Sequence, residues 1–308
     1  MEKKTLTIFT PTYNRAYILP KLYESLCNEQ CHDFIWLVVD DGSTDNTQEL
    51  FEQWEKENTI EIHYFKKENG GKMRAHNFGA KVCKTPLFFC IDSDDQLTAG
   101  AIEKIISYYD EIKNDDSVCG FIAKKRMDIC NFSKTIPSNS FLSLSGLYDS
   151  GFTGETSLVF KTDILRKFPF LEVEGEKFST EAYAYMQMDQ KYVYKLKDEY
   201  WTDCMYQPDG YSMNGVNLYF SSPIGWRKYF SLSYKLGNNN LKKRVKTMAM
   251  YVFSSIVAKC NALRIIRESP SILFAILSYP IGLYYYFKLK NEYERNKSLR
   301  KNIVTVDN

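Results

Sequence analysis

Phe34-Ile35-Trp36-Leu37-Val38-Val39-Asp40-Asp41-Gly42-Ser43 runs six apolar residues straight into two carboxylates and a glycine. A continuous apolar run of that length reads as a strand covered on both faces. Its stop at Asp40-Asp41-Gly42 reads as a turn at the strand's carboxyl end. Ser43, Thr44 and Asp45 follow as candidate helix caps, with Gln48 three residues after Asp45 and Leu50, Phe51 and Trp54 on a buried face. Upstream, Leu6–Thr10 is a short apolar run that stops at Pro11, and Leu19, Leu22, Tyr23 and Leu26 repeat at helical spacing. Downstream, Ile60, Ile62 and Tyr64 alternate with polar residues, and Asn69-Gly70-Gly71 breaks the chain. Met73 to Val82 reads as a helix, and Leu87–Ile91 as another strand, ending in Asp92. Thr98 is placed to cap a helix buried through Ile102, Ile105, Ile106 and Tyr109.

The order β-α-β-α-β-α-β-α predicts an α/β, Rossmann-like fold, a mostly parallel twisted sheet with helices on both faces. Ligands bind such sheets beyond the carboxyl ends of the strands. Thr10–Arg15, Asp40–Asp45 and Asp92–Asp95 each follow an apolar run, so they should gather on one edge. Asp92-Ser93-Asp94-Asp95 packs three carboxylates into four residues, a repulsion that a cation would offset. Hard oxygen ligands suit Mg2+ or Mn2+ bridging to phosphates. Taken alone, each acidic turn reads first as a cap before the next helix, and it is their context that points to a site. Asn69-Gly70-Gly71-Lys72-Met73-Arg74 adds cations and glycine backbone ahead of a helix, a setting that favours phosphate. It lacks the P-loop spacing, and Lys72 by itself reads as a surface lysine.

With 44% hydrophobic and 25% charged residues, the 308-residue chain is globular rather than disordered or fibrous. Aromatics at 15% supply both core and sugar-stacking surfaces. The eight cysteines form no CxxC pair or zinc-like spacing, so reduced thiols in a cytoplasmic protein are expected. The start, Met1–Arg15, has no long apolar run, and no signal peptide is expected. Charge is divided unevenly. Residues 227–308 hold 16 Lys/Arg against 4 Asp/Glu, a net of +12, and residues 1–226 hold 24 against 34, a net of −10. The expected domains follow that divide: 1–226, split into halves at 112, and a basic helical region over 227–308. In the latter, Ser269–Phe287 is uncharged for 19 residues, and roughly 17–25 apolar residues cross a bilayer. Pro280, Gly282 and the tyrosines at 279 and 284–286 favour an interfacial anchor on the inner, cytoplasmic membrane face over a span or a packed helical subdomain. No nucleic-acid reader motif accompanies the basic charge, and no nucleic-acid partner is expected.

Four motifs in this order, Thr10-Pro11-Thr12-Tyr13-Asn14-Arg15, Val39–Asp45, Asn69–Gly79 and Asp92–Asp95, resemble family 2 glycosyltransferases, most nearly the bacterial enzymes of capsule and exopolysaccharide synthesis. A looser likeness continues through Glu174–Glu181 and Tyr206–Asn214. The resemblance implies the A-type glycosyltransferase fold and transfer, with inversion, from a nucleotide-sugar donor such as a UDP-sugar to a lipid-linked or oligosaccharide acceptor. Residues 1–112 then form the nucleotide-sugar half and 113–226 the acceptor half. It also implies roles. Thr10, Pro11, Tyr13 and Arg15 hold the nucleoside, with Asp41 accepting from the base and Asp40 as the lesser candidate. Lys72 and Arg74 lie near base or diphosphate, Asp92 and Ser93 near ribose or donor sugar, and Asp94, with Asp92 and Asp95, on Mn2+ or Mg2+. A base must deprotonate the acceptor hydroxyl; Glu181 is the choice, although Ala182 stands where the family carries Asp, and Glu155 and Asp189 are the alternatives. Two competing readings are a sugar nucleotidyltransferase, which would need a glycine-rich first loop that Thr10–Arg15 lacks, and a non-catalytic glycan-binding scaffold, which the carboxylate cluster argues against.

Overall fold

The computed structural model describes residues 4–127, 135–138, 140–204, 215–237 and 240–304. Phe34–Asp40 is a strand, and its successive side chains enter two different cores. Trp36 and Val38 pack on one face of the sheet with Leu19, Leu22, Leu26, Phe51 and Trp54. Leu37 and Val39 pack on the other with Ala75 and Ala80. Ile8 and Phe9 divide in the same way, as do Phe88 and Phe89. The runs are apolar without alternation because helices cover both faces.

The chain divides into two compact units. The first comprises residues 1–170 and 184–207. Its strands are β1 (Leu6–Thr12), β2 (Phe34–Asp40), β3 (Ile62–Lys66), β4 (Leu87–Cys90), β5 (Asp95–Leu97), β6 (Val118–Met127), β7 (Phe141–Leu142), β8 (Thr156–Lys161) and β9 (Val193–Cys204). Its helices are α1 (Leu19–Cys27), α2 (Thr47–Glu57), α3 (Lys72–Val82), α4 (Ala101–Tyr109), α5 (Leu144–Asp149), α6 (Thr162–Leu165) and α7 (Ala182–Met188). The sheet order is β3-β2-β1-β4-β8-β6-β9-β5, with β7 on β9. The first four strands are parallel, as the sequence predicts. β8 then enters antiparallel to β4 and β6, while β6 and β9 run parallel.

Three local expectations are corrected. β1 continues through Pro11 to Thr12. Phe9 O accepts from Ile91 N and Thr12 O from Asp41 N, so Pro11 faces the β4 side, beyond the last pairing of that strand at Phe9–Cys90. Its missing N–H therefore costs the ladder nothing. The second correction concerns Thr98, which does not cap α4; its hydroxyl donates to Tyr200 O. The buried Glu29 takes that place, accepting from Gly100 N and Ile102 N at 2.9 and 3.2 Å. Third, Asn46 is the N-cap of α2, and Asp45 instead accepts from Thr47 N and its hydroxyl.

The second unit comprises residues 171–183 and 208–308. It contains α8 (Gly215–Ser221), α9 (Pro223–Leu236), α10 (Leu241–Val257), α11 (Ala262–Arg267) and α12 (Ile272–Val304). The helical C-terminal region is thus present, and the compact unit that contains it also takes in residues 171–183. Glu176 supplies the reason: its carboxylate accepts from Ile224 N and Gly225 N at 2.7 and 2.8 Å and tethers 171–183 to the start of α9. Phe178 packs on Trp226 beside it. Phe230, Met248, Val252, Phe253 and Ile265 form the core of this unit.

Gly79 lets α3 approach β1, since a Cβ there would overlap the ring of Phe9. Overpacking of this kind costs about 1–3 kcal/mol. Gly79→Ala is therefore expected to lower the urea midpoint by that amount of stability, and an unchanged midpoint would show that α3 is free to shift.

Candidate functional site

The three polar loops expected on one sheet edge meet there, linked by hydrogen bonds. Asn14, with φ 53°, turns the chain after β1. Its N–H donates to Ser43 Oγ at 2.8 Å and its side-chain oxygen accepts from Thr44 N at 2.8 Å. Ala16 N donates to Asp45. The first loop is thereby fixed to the β2 turn. Thr10 and Pro11 are buried beneath it, the Thr10 hydroxyl accepting from Trp36 Nε1 at 3.1 Å, whereas Tyr13 is exposed.

Asp40 and Asp41 are buried, and they work in different directions. Asp40 accepts from Ser43 N at 2.7 Å and from the Tyr64 hydroxyl at 2.5 Å, closing its own turn. Burial and the adjoining Asp40 carboxylate push the Tyr64 phenol well above its usual range. Asp41 reaches across to the glycine loop. It accepts from Lys67 Nζ, Gly70 N and Gly71 N at 2.7, 2.9 and 2.6 Å, while Asn69 Nδ2 donates to its carbonyl. Gly42, at φ 85°, leaves room for Asn69, whose backbone nitrogen would sit 2.9 Å from a Cβ there. Asp41 is thus the organiser of the 69–71 loop.

That loop delivers Lys72 and Arg74 on the first turn of α3. Arg74 donates to Gly70 O at 2.6 Å. Lys72 Nζ lies 2.8 and 3.0 Å from the two carboxylate oxygens of Asp92. Burial opposes ionisation of Asp92, but the charges of Lys72 and Lys125 outweigh it and hold the carboxyl down at about 2. Asp95 is buried and paired with Lys125 Nζ at 2.7 Å; burial works against that ammonium, and Asp95 and Asp92 outweigh it. Ser93 is buried between them. Asp94 is the remaining carboxylate of the turn. Burial first, then the charges of Asp92 and Asp95, push its carboxyl up, against the pull of Arg15. Among the described residues no three His, Cys, Asp or Glu side chains converge as a metal-holding group. A cation would therefore meet Asp94 in a turn whose other two carboxylates already face lysines. Hard oxygen donors at that point suit Mg2+ or Mn2+, which commonly take one or two carboxylates and complete their shell with water and substrate phosphates.

The base candidates separate. Asp189 accepts from Leu144 N and Ser145 N at 3.0 and 2.8 Å and serves as a cap for α5. Glu155 precedes β8 in the first unit, where its carbonyl accepts from Lys125 N. Glu181 belongs to the stretch 171–183 of the second unit. The likeness through Tyr206–Asn214 lies outside the described residues.

Sequence reasoning missed Lys67, Tyr64 and Lys125. Lys125 had a signal: Lys124 and Lys125 stand side by side at the end of the apolar run Val118–Ala123. Both are answered by carboxylates, Lys124 by Asp198 at 2.6 Å.

The sequence model described as glycosyl transferase family 2 matches residues 7–170. The chain is 24% identical over 297 residues to the GalNAc(5)-diNAcBac-PP-undecaprenol beta-1,3-glucosyltransferase of Campylobacter jejuni, covering 89% of this chain and 93% of that one. It is 26% identical over 171 residues to the minor teichoic acid biosynthesis protein GgaB of Bacillus subtilis, covering 54% of this chain and 19% of the relative. A teichoic acid poly(glycerol phosphate) polymerase of Staphylococcus epidermidis, 27% identical over 52% of this chain, is likewise matched over 22% of its length; the chain spans about a fifth of these two relatives. The fold is shared with S. aureus TarS 1-349, solved in complex with UDP-GlcNAc, at a TM-score of 0.58, 14% identity and coverage of 95% of this chain and 92% of that one. It is also shared with the mannosyltransferase PcManGT of Pyrobaculum calidifontis, solved with GDP-Man and Mn2+, at a TM-score of 0.53, 14% identity and coverage of 94% and 83%.

Two substitutions test this geometry. Asp41→Ala strands two backbone N–H groups and an ammonium, and is expected to cost about 2–3 kcal/mol in urea unfolding. Lys125→Met leaves Asp95 buried and unpaired, and is expected to cost about 3–5 kcal/mol. Wild-type stability in either variant would contradict the pairing described.

Proposed function

The chain belongs to glycosyl transferase family 2, and from that premise we propose that it transfers a sugar, with inversion, from a UDP-sugar to a hydroxyl of a lipid-linked or growing polysaccharide acceptor at the cytoplasmic side of the membrane. The observation that carries the reading is the meeting of Asp41, the Gly70-Gly71 backbone, Lys72 and the Asp92–Asp95 turn at one sheet edge. Capsule, exopolysaccharide and teichoic-acid-type polymers are the acceptor class in view. The complex of TarS with UDP-GlcNAc and the lipid-linked glucosyltransferase of C. jejuni support the donor and acceptor classes.

The resemblance implies the roles of the residues, and their charge supports them. Thr10, Pro11, Tyr13 and Arg15 flank the nucleoside, with Asp40 and Asp41 beneath it. Asp41 acts by holding the glycine loop in place, and in this reading it also accepts from the base. Lys72 and Arg74 present positive charge to the diphosphate. Asp92 and Ser93 orient the ribose or donor sugar. Asp94 holds Mn2+ or Mg2+, with Asp92 and Asp95 close by; PcManGT, solved with Mn2+, supports the choice of ion. When bound, that ion offsets the charge gathering on the departing diphosphate. Glu181 takes the proton of the acceptor hydroxyl as it attacks the anomeric carbon, and Glu155 is the alternative base.

Nucleotide release from a panel of nucleotide sugars, with and without Mn2+, tests the reading on the full-length protein. Release from at least one UDP-sugar is expected, with Asp94→Asn lowering kcat by about a hundred- to a thousandfold. Release from no donor would contradict the activity, and metal-independent turnover would contradict the role of Asp94. Glu181→Gln is expected to lose about a hundredfold or more in transfer; a wild-type rate there moves the base to Glu155.

A further inference from the structure

We propose that the second unit docks on an anionic lipid bilayer through the outward face of α12, with the helix lying along the membrane surface. Leu273, Ile276, Leu277, Ile281, Tyr284 and Phe287 follow one another along a single side of the helix, each between 39% and 63% exposed. Their spacing keeps them on one face, and fifteen residues of helix extend the stripe to about 22 Å. The opposite face is already committed within the unit. Ala275 and Ser278 are fully buried, and Gly282 lies so close to α10 that a Cβ would strike Val252 and approach Ala249 O. An exposed apolar stripe of this size marks an interaction site.

Charge selects the occupant. The Arg244 guanidinium stands 4.9 Å from the Phe274 ring and bonds the Tyr234 hydroxyl, which sets the first turn of α10 beside the first turn of α12. Lys242, Lys243 and Lys246 are exposed in that turn region. At the far end of the stripe Lys288 and Lys290 are exposed, with Lys290 Nζ 5.5 Å from the Tyr286 ring. Cations thus bracket the apolar face at both ends. They attract anionic headgroups while the apolar side chains enter the acyl boundary. A second copy of the same face would bring like charges together.

The same contacts decide between lying and spanning. α12 is long and apolar enough to cross a membrane by length and composition. It is packed along α10, however, whose Val252 meets Gly282 midway along the stripe, and the neighbouring Tyr251 is bonded to Arg227, itself paired with Glu268 at 2.8 Å. A perpendicular α12 would drag these charges into hydrocarbon. In the plane of the surface they remain at headgroup level.

Vesicle co-sedimentation of the full-length protein tests the proposal, and it is independent of donor chemistry, so vesicle binding and sugar transfer can fail separately. The protein is expected to pellet with phosphatidylcholine vesicles containing phosphatidylglycerol and to be released by salt, with little binding to phosphatidylcholine alone. Leu273→Glu with Leu277→Glu, at exposed positions, is expected to lower partitioning by about tenfold or more at an unchanged melting temperature. Lys242→Glu with Lys246→Glu is expected to remove the preference for the anionic vesicles. Equal pelleting of the leucine variant and wild type, or no pelleting of wild type, would overturn the proposal. So would retention through a carbonate wash, which indicates a span, or a dimer dissociated by the leucine substitutions in sedimentation velocity, which indicates a second copy on this face.

Discussion

Three carboxylates within four residues, at the end of a strand buried on both faces, set the terms for the first unit. Their mutual repulsion cannot be relieved by solvent alone, because Asp95 is buried and Asp94 half-buried. Two lysines answer it from different directions, Lys72 from α3 and Lys125 from β6. Each depends on a structure assembled elsewhere. Lys72 stands where it does because Asp41 holds the glycine loop that starts its helix. Lys125 is brought to Asp95 by a strand that lies two places from β4 in the sheet, across β8. The arrangement leaves Asp94 as the carboxylate whose charge is least well answered, and that imbalance is what a divalent cation and a diphosphate would resolve together.

Much of this was legible in the sequence. Apolar runs that end abruptly in Asp or Pro, separated by helical periodicities, gave the parallel half of the sheet and the edge where its loops converge. The reason is physical: a doubly covered strand must be continuously apolar, and its first polar residues must lie at its end. What periodicity could not show is partnership across the chain. The stretch after residue 113 pairs β6, β8 and β9 in mixed directions, and no local pattern specifies which strand enters antiparallel. Glu29 was hidden for the same reason: it caps a helix 71 residues away. Residues 171–183 look like part of the sheet domain by position, yet a single buried carboxylate, Glu176, commits them to the helices of the second unit.

The uneven charge of the two halves also has a physical sense. The acidic half carries the turns that would gather cations and, through them, a diphosphate. The basic half exposes lysines at both ends of an apolar helix face. Sequence alone favoured a helix lying on the membrane surface over a span or a packed soluble helix. Packing against α10 narrows the choice, because one face of the helix is spent on its neighbour and the other is not.

The central proposal is that Asp94 would hold a divalent cation at the β4 edge, where that ion would offset the charge of the donor diphosphate. Crystals soaked with UDP and Mn2+, with diffraction recorded at the manganese absorption edge, test it most directly. The account predicts one anomalous peak in contact with an Asp94 carboxylate oxygen and with the diphosphate, and Lys72 drawn toward the phosphates. UDP bound at this edge with no anomalous peak beside Asp94, or a peak held by other residues, would contradict it.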